Sequence, residues 1–209
     1  MTEQMTFYTH PMSRGQTVRW MLEEVGEPYE TEILEYGSTM KAEPYLSVNP
    51  MGKVPAIKHK GKVVTEVAAI CCYLADAFPA ANLAPPLADR AAYYRWIFFT
   101  SGPVEAAFSN KAAGWEPTPE RQRMFGYGNY DLAIDTLETA IAGKEYIAAD
   151  HFTAADLFVG ANINFMLAFN LLEPRDAFVD YARRMTDRPA YERAKGIDAA
   201  LVAEQEAAQ

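Results

Sequence analysis

The sequence predicts an α/β domain followed by an all-α domain, and three observations support this prediction. From Met5 to Phe78, short β-rich runs alternate with helical ones. A stretch rich in proline and alanine follows at residues 78–86. Beyond it the pattern is helical, with no convincing strand. We therefore expect one domain at residues 1–79, a linker at 80–87 and a helical domain at 88–209.

The first domain is predicted to contain a mixed sheet. Strands are expected at Thr6–Tyr8 and Tyr29–Leu34 and helices at Gln16–Val25 and Lys41–Leu46, before two further strands and a helix. Strands that alternate with helices require at least one parallel pair joined by a crossover. Gly61, between the last two strands, instead predicts a tight hairpin. This order is that of a thioredoxin-like domain.

Composition excludes several classes of partner. Half of the 209 residues are apolar, which is enough for a sizeable core. The net charge of −9 would repel the phosphates of nucleic acid, so we expect no such partner. No apolar run approaches the ~20 residues that span a bilayer, so we expect no membrane partner. Met1–Gln4 has neither the basic nor the apolar region of a signal peptide, and we expect a cytoplasmic protein.

The two cysteines do not indicate disulfide or redox chemistry. Cys71 and Cys72 are adjacent within a predicted helix, where neither a disulfide framework nor a Cys-x-x-Cys pair can be built from them. We expect small, half-buried apolar residues, and no metal site is predicted.

The segment at residues 49–57, which reads NPMGKVPAI, is the most informative part of the chain. Pro55 lies at the start of a strand and has no N–H, so Val54 can offer its own N–H and C=O to a ligand with a peptide backbone. The Val54-Pro55 bond is also a candidate for the cis form. The next strand leads directly into a helix after Glu66, and the unpaired N–H groups of that helix suit a carboxylate.

These motifs resemble the glutathione-binding half of the cytosolic glutathione S-transferases. The resemblance covers nearly the whole chain, because residues 7–14, FYTHPMSR, precede a helix as in that family and the second half is helical. It implies a thioredoxin-like domain with an all-α domain, a homodimer, and glutathione as co-substrate without a metal. It also implies a small electrophilic molecule as the second substrate.

By this resemblance, residues around the two motifs bind glutathione. The glycine-end carboxylate would meet Asn49 and Lys53, and Val54 before Pro55 would pair with the cysteinyl backbone. Glu66 would bind the γ-glutamyl amino group. Most members carry a serine at the next position, whose hydroxyl holds the γ-glutamyl carboxylate, whereas this chain has Val67. The absence of this hydroxyl predicts glutathione binding that is weaker by roughly 1.5–3 kcal/mol.

The resemblance also implies a hydroxyl that stabilises the glutathione thiolate. Ser13 at the start of the first helix is our first choice, and helix capping is its ordinary structural role. Tyr8 is the second choice, although a strand aromatic is more often part of the core. Arg14 is a candidate to hold the thiolate by charge, and the alternative is a solvated arginine. His10 is a further candidate, against the more common case of a loop histidine with no catalytic role.

In the second half, a helix expected at Ala88–Phe108 carries many aromatic residues. Most are predicted to be core, and an apolar substrate pocket is predicted at Tyr94, Phe98 and Phe108. Gly102-Pro103 should kink this helix. A later helix is predicted to begin with a capping box at Thr153 and Asp156. The alanine- and glutamate-rich end, Ala199–Gln209, is predicted to fray.

The leading functional prediction is a glutathione transferase that adds the thiolate to an apolar electrophile. The alternative is a non-catalytic relative that keeps the fold for binding or regulation, and Val67 motivates it. Disulfide exchange would need a cysteine near the first helix, and there is none. The sequence does not identify the electrophile.

Overall fold

The structure is a computed structural model that describes residues 5–207. Its contacts divide the chain into two compact units. The first contains the chain up to Asn82 together with the residues from Arg188 onward, and the second is Leu83–Asp187. The division at Asn82 lies inside the predicted linker. The last helix belongs to the first unit by its contacts, whereas the sequence-based division assigned it to the helical domain.

The described strands and α-helices are as follows. The strands are β1 (Met5–Thr9), β2 (Tyr29–Ile33), β3 (Ala56–His59) and β4 (Lys62–Thr65). The helices are α1 (Gly15–Val25), α2 (Tyr45–Val48), α3 (Val67–Ala77), α4 (Ala91–Phe99), α5 (Glu105–Ala112), α6 (Tyr130–Ile141), α7 (Ala154–Ala168), α8 (Asp176–Thr186) and α9 (Pro189–Ala207).

The sheet of the first unit has the strand order β2-β1-β3-β4. β1 pairs in parallel with β2 and antiparallel with β3, which confirms the predicted mixed sheet. β3 and β4 form the predicted tight hairpin, and its turn residues Lys60 and Gly61 have φ values of 51° and 71°. Two positive φ values in succession are typical of a two-residue hairpin turn.

The prediction of a helix at Lys41–Leu46 is wrong. The chain instead forms a 3₁₀ turn at Thr39–Lys41 and a short α2 that begins only after Pro44. Pro44 has no N–H to donate and disfavours the helical conformation of the residue before it, so one helix cannot run through this position.

Helix α9 packs against α1 through a buried ion pair. Arg19 on α1 is 1% exposed, and its Nε donates to Asp198 Oδ1 of α9 at 2.7 Å. The guanidinium also lies 5.1 Å from the centre of the Phe7 ring. Nearby, the rings of Trp20 and Tyr191 meet edge to face with centres 5.0 Å apart. These contacts fix the last helix on the first.

The described part of Ala199–Gln209, which was predicted to fray, is helical, because α9 continues to Ala207. Its buried positions are Ala190, Ala194 and Asp198, which follow one another at the four-residue spacing of a helix face. Alanine and aspartate do not form a recognisable apolar stripe, and the sequence pattern therefore gave little sign that this helix is anchored.

In the second unit, the helix predicted at Ala88–Phe108 is interrupted where Pro103 lies. α4 and α5 are separated by a π-helical segment at Thr100–Val104, which contains this proline. A π-helical turn is wider than an α-helical one, so the helix can continue past a proline, which has no N–H to donate. The regular α-helical pattern is therefore broken where the kink was predicted.

The predicted capping box at the start of α7 is confirmed. Thr153 Oγ1 accepts from the N–H of Ala155, and Asp156 Oδ2 accepts from both the N–H and the hydroxyl of Thr153. Asp156 is fully buried, and its Oδ1 accepts from the Ile147 N–H and the Tyr181 hydroxyl. Burial raises the pKa of Asp156, and these hydrogen bonds oppose the rise.

Within residues 5–207, no helix combines the length and the apolar character needed to cross a membrane. The same residues contain no group of three or more histidine, cysteine or acidic side chains that could hold a metal ion. Cys71 is buried and burial raises its thiol pKa, as expected for an apolar packing residue.

We predict that Asp156→Ala lowers the free energy of unfolding by about 3 kcal/mol or more, because several buried donors lose their acceptor. Asp150→Ala is the matched control, since Asp150 is exposed and its one ion pair with a described residue is with the neighbouring His151; it should change stability by less than about 1 kcal/mol. Urea unfolding measures both. Equal effects of the two substitutions would show that Asp156 is not a structural centre of α7.

Candidate functional site

The turn between β1 and α1 is organised by the hydroxyl of Ser13. Its Oγ donates to the carbonyl oxygen of His10 at 2.7 Å and accepts from the N–H of Gly15 at 2.9 Å. The hydroxyl therefore caps the first turn of α1, which is the structural role expected of it. In this arrangement its proton points to a backbone carbonyl, and the hydroxyl must change acceptor before it can donate to a sulfur atom.

Helix α1 begins at a position that only glycine can occupy without a shift of the surrounding atoms. A Cβ on Gly15 would lie 1.9 Å from Thr9 Oγ1 and 2.9 Å from Ser13 Oγ. Thr9 is fully buried at the end of β1, so it has little room to move. The close approach places the N-terminus of α1 directly at the end of the first strand.

His10 is also part of this turn, and it is buried. Its Nδ1 accepts from the N–H of Met12 at 3.1 Å, and its ring lies 4.5 Å from the Tyr36 ring, centre to centre. Its Nε2 is 3.7 Å from a carboxylate oxygen of Glu35. His10 thus supports the turn through its backbone carbonyl and through its imidazole.

Tyr8 and Arg14, the other two residues predicted to stabilise the thiolate, differ in their surroundings. Tyr8 belongs to a buried cluster that includes Tyr45 and Ala56, and its ring centre lies 5.5 Å from that of Tyr45. Burial, with a smaller contribution from the charge of Glu32, raises the pKa of Tyr8. Its phenol therefore stays protonated and has the position of a core aromatic. Arg14 is half-buried, next to Ser13 at the start of α1.

The loop before β3 is held by Asn49. This side chain is buried, its Nδ2 donates to the Lys53 carbonyl at 2.8 Å and its Oδ1 accepts from the Met51 N–H at 3.1 Å. The amide group of Asn49 is thus engaged in shaping the loop. Lys53 is exposed, and its ammonium group has no ion-pair partner among residues 5–207.

Val54 and Pro55 follow with the geometry that the sequence suggested. The Val54–Pro55 bond is cis, and the side chain of Val54 packs against the Tyr8 cluster. No backbone hydrogen bond joins Val54 to another residue within the described range 5–207. Both its N–H and its C=O are consequently available to a peptide-like ligand.

Glu66 lies at the N-terminus of α3 in an unusual backbone conformation. Its φ is 66°, in the left-handed region that residues other than glycine rarely adopt, at a cost of about 1–3 kcal/mol. Its exposed side chain does not cap the helix and forms no ion pair with another described residue. Val67 is the first residue of α3, where an N–H without a side-chain cap can meet an anion.

The aromatic residues predicted for a substrate pocket lie in the second unit. Phe108 is 4% exposed and contacts Phe165, with ring centres 6.4 Å apart. Tyr94 and Phe98 are 39% and 62% exposed. Phe108 is thus a core residue of its unit, whereas the other two present apolar surface.

Taken together, the first unit is a thioredoxin-like domain whose sequence-predicted site residues lie in three segments, the β1–α1 turn, the loop before β3 and the start of α3. Comparisons with known proteins agree. Residues 12–77 match the family model described as the glutathione S-transferase N-terminal domain. Over 150 residues the chain is 27% identical to glutathione S-transferase GstA of Escherichia coli O157:H7, covering 69% of this chain and 73% of the relative.

Solved structures give the same result. A glutathione transferase from Methylococcus capsulatus superposes with a TM-score of 0.77 at 25% identity, covering 94% of this chain and 99% of the other. A sphingomonad glutathione S-transferase complexed with glutathione gives 0.72 at 25% identity, covering 93% and 98%. Residues 12–77 therefore belong to the glutathione S-transferase N-terminal domain family, and the chain as a whole has the glutathione S-transferase fold.

Gly15 is a site residue that sequence reasoning missed. The only available signal was a glycine directly after the Ser13-Arg14 pair at a helix start, a pattern that many loops share. His10 was considered as a catalytic group or as a loop histidine without a catalytic role, and its part in holding the turn depends on a backbone contact that the sequence does not show.

We predict that Gly15→Ala destabilises the protein by more than about 1 kcal/mol, because the added methyl group must displace Thr9. Gly196→Ala in α9 is the matched control, since its Cβ would meet no atom within 4 Å. There the better helix propensity of alanine should stabilise by up to about 1 kcal/mol. Thermal unfolding measures both, and a neutral Gly15→Ala would show that β1 and α1 are not in close contact.

Proposed function

We propose that this protein is a glutathione transferase, which binds the tripeptide along the loop before β3 and the start of α3 and activates its thiol at the start of α1. The observation that carries the proposal is the unpaired backbone of Val54 next to Pro55. A free N–H and C=O before a proline form the edge at which a short peptide pairs as an added strand.

Charged and polar groups of the first unit complement the charges at the two ends of such a ligand. The carboxylate of Glu66 suits the γ-glutamyl ammonium group, and the N–H groups at the start of α3 suit the neighbouring carboxylate. The ammonium of Lys53 suits the carboxylate at the glycine end. The strained backbone of Glu66 supports this reading, because such strain is retained most often at binding sites.

Activation of the thiol requires about 2.7 kcal/mol of preferential stabilisation of the thiolate for a pKa lowered by two units. A hydrogen bond to a charged group contributes about 1.5–3 kcal/mol. Ser13 must give up its bond to the His10 carbonyl, worth about 1 kcal/mol, so its net contribution is near 1 kcal/mol. The remaining stabilisation of the thiolate comes from the N-terminus of α1, which contributes about 0.3–1 kcal/mol, and from the charge of Arg14.

The reaction then consists of attack by the thiolate on an electrophilic carbon of an apolar small molecule. The thiol proton passes to solvent, the new carbon–sulfur bond forms, and the electron pair leaves with a departing group or moves into the substrate. Tyr94 and Phe98, two of the residues predicted for an apolar pocket, are exposed in the helical unit. We propose that the protein acts in the cytoplasm as a homodimer, as the family resemblance implies.

We predict that Ser13→Ala lowers the turnover number for conjugation of glutathione about tenfold, because the thiolate loses a donor, while the Michaelis constant for glutathione changes little. Ser13→Thr keeps the hydroxyl and should retain most of the turnover. Unchanged turnover in Ser13→Ala would assign thiolate stabilisation to Arg14, His10 or Tyr8 instead.

We predict that Val67→Ser tightens glutathione binding about tenfold or more, because a hydroxyl is restored beside the γ-glutamyl carboxylate. Val63→Ser is the matched control, since Val63 is 43% exposed on β4 and should leave the affinity unchanged. Titration calorimetry measures both. An equal affinity in all three proteins would place the carboxylate elsewhere, and no binding by any of them at millimolar glutathione would favour the non-catalytic alternative.

A further inference from the structure

Strand β2 is an open edge of the sheet. In the order β2-β1-β3-β4 it has a neighbouring strand on one side only. The N–H of Leu34, directly after the strand, donates to the Thr9 carbonyl at 2.9 Å. Because successive N–H groups of a strand point to opposite edges, those of Thr31 and Ile33 point away from β1. Within the described range 5–207, no backbone hydrogen bond joins either residue to a segment other than β1.

The side chains of β2 differ between its two faces. Thr31 Oγ1 accepts from Arg19 Nη1 at 3.3 Å, so Thr31 faces α1. Successive side chains of a strand lie on opposite faces, which places Glu30 and Glu32 on the other face. Both glutamates are exposed, and the ion pairs of the first unit engage other glutamates instead. The edge therefore presents free backbone groups beside two carboxylates that no cation neutralises.

The charge around this edge has one sign. Residues 20–40 include six glutamates and no lysine or arginine. Lys41 follows, but its Nζ donates to the Met51 carbonyl at 3.0 Å and is thus directed to another loop. Charged side chains commonly protect an exposed edge strand from pairing with a second copy, and like charges do so here. The same carboxylates attract a strand that carries positive charge.

A cavity of about 470 Å³ adjoins Glu32 within the first unit. Its wall includes the carboxylates of Glu32 and Glu43, the hydroxyl groups of Ser38 and Thr39, and the apolar ring of Pro44. No lysine or arginine lines it. This wall suits a lysine or arginine side chain, whose aliphatic stem contacts the apolar part while its charged end meets the carboxylates.

We propose that β2 binds an extended, basic segment of another protein, which adds to the sheet as a further strand. The backbone of the segment pairs with the N–H and C=O groups of Thr31 and Ile33. Its lysine or arginine side chains, at alternate positions, meet Glu30 and Glu32, and one of them enters the cavity. In this mode of recognition the backbone bonds supply affinity and the alternate side chains supply specificity.

This surface is separate from the proposed glutathione site. None of its residues is among those proposed to bind glutathione or to stabilise the thiolate, so the inference does not rest on the transferase function. β2 has only five residues, and few backbone hydrogen bonds can form along it. The charges must therefore contribute much of the affinity, and binding should weaken as the salt concentration rises.

The first test uses a fluorescein-labelled peptide of alternating lysine and valine, KVKVKVK, with blocked ends. We expect saturable binding to the full chain by fluorescence anisotropy at low salt. A strand pairs through one of its edges, so N-methylation of one alternate set of peptide N–H groups should weaken binding at least tenfold, while N-methylation of the other set should not. Equal binding by both methylated peptides and the parent would show adsorption by charge alone and overturn the inference.

The second test removes the two carboxylates. The double substitution Glu30→Gln with Glu32→Gln should raise the Kd of the parent peptide at least fivefold. The matched control is Glu192→Gln with Glu204→Gln, which changes the net charge equally at exposed positions of α9 and should change the Kd less than twofold. An equal loss of affinity in the two proteins would assign binding to the net charge and contradict a site at β2.

Hydrogen exchange locates the bound peptide. Exchange at the N–H groups of Thr31 and Ile33 should slow at least fivefold when the peptide is bound, because these groups become hydrogen-bonded. Unchanged exchange at both positions, or no saturable binding at millimolar peptide, would overturn the inference. Sedimentation of the wild-type protein and of the Glu30→Gln, Glu32→Gln protein tests the other occupant of this edge. A change in self-association between them would assign the edge to a second copy of the chain and also overturn it.

Discussion

Helix α1 starts where the chain passes directly over Thr9, and there is room at that point only for a glycine. This close approach fixes the N-terminus of the helix at the end of β1. Ser13 then caps the helix through the Gly15 N–H and is itself tied to the His10 carbonyl. The turn is thus ordered by the Ser13 hydroxyl and the His10 imidazole, each of which bonds to backbone atoms of the turn.

A second constraint joins the end of the chain to its beginning. The buried pair of Arg19 and Asp198 fixes α9 on α1, and removal of one partner from such a pair typically costs about 3–5 kcal/mol. Arg19 Nη2 is buried without a hydrogen-bond partner among the described residues. The carboxylate of Asp198 is therefore the main group that offsets the buried charge of the guanidinium. Val202 and Gln205 of α9 also line a cavity beside His10, so this ion pair holds one wall of that cavity in place.

The sequence predicted the mixed sheet, the tight hairpin and the capping box because each follows from residue patterns that are local in the chain. Gly61 specifies a turn, and Thr153 with Asp156 specifies a helix start. The prediction of a helix at Lys41–Leu46 was wrong because the effect of Pro44 outweighs the helix propensity of its neighbours. The anchoring of α9 was missed because its buried face consists of alanines and one aspartate, and the arginine that pairs with that aspartate is 179 residues away in the chain.

Some features of the candidate site could likewise be predicted from the sequence, and others could not. Val54 and Pro55 were predictable because a missing N–H is a property of proline itself, and Glu66 because of its place before a helix. The sequence did not reveal that the Asn49 amide is engaged with its own loop or that the proton of Ser13 points to a carbonyl. Both facts depend on distances within turns, which residue types do not fix.

We expect several modest effects, rather than one strong donor, to stabilise the thiolate. A direct test is an ultraviolet pH titration of glutathione bound to the wild-type protein, in which the thiolate absorbance is compared with that of free glutathione. We expect a bound thiol pKa about one to two units below that of the free tripeptide. No thiolate signal at neutral pH with saturating glutathione would contradict it.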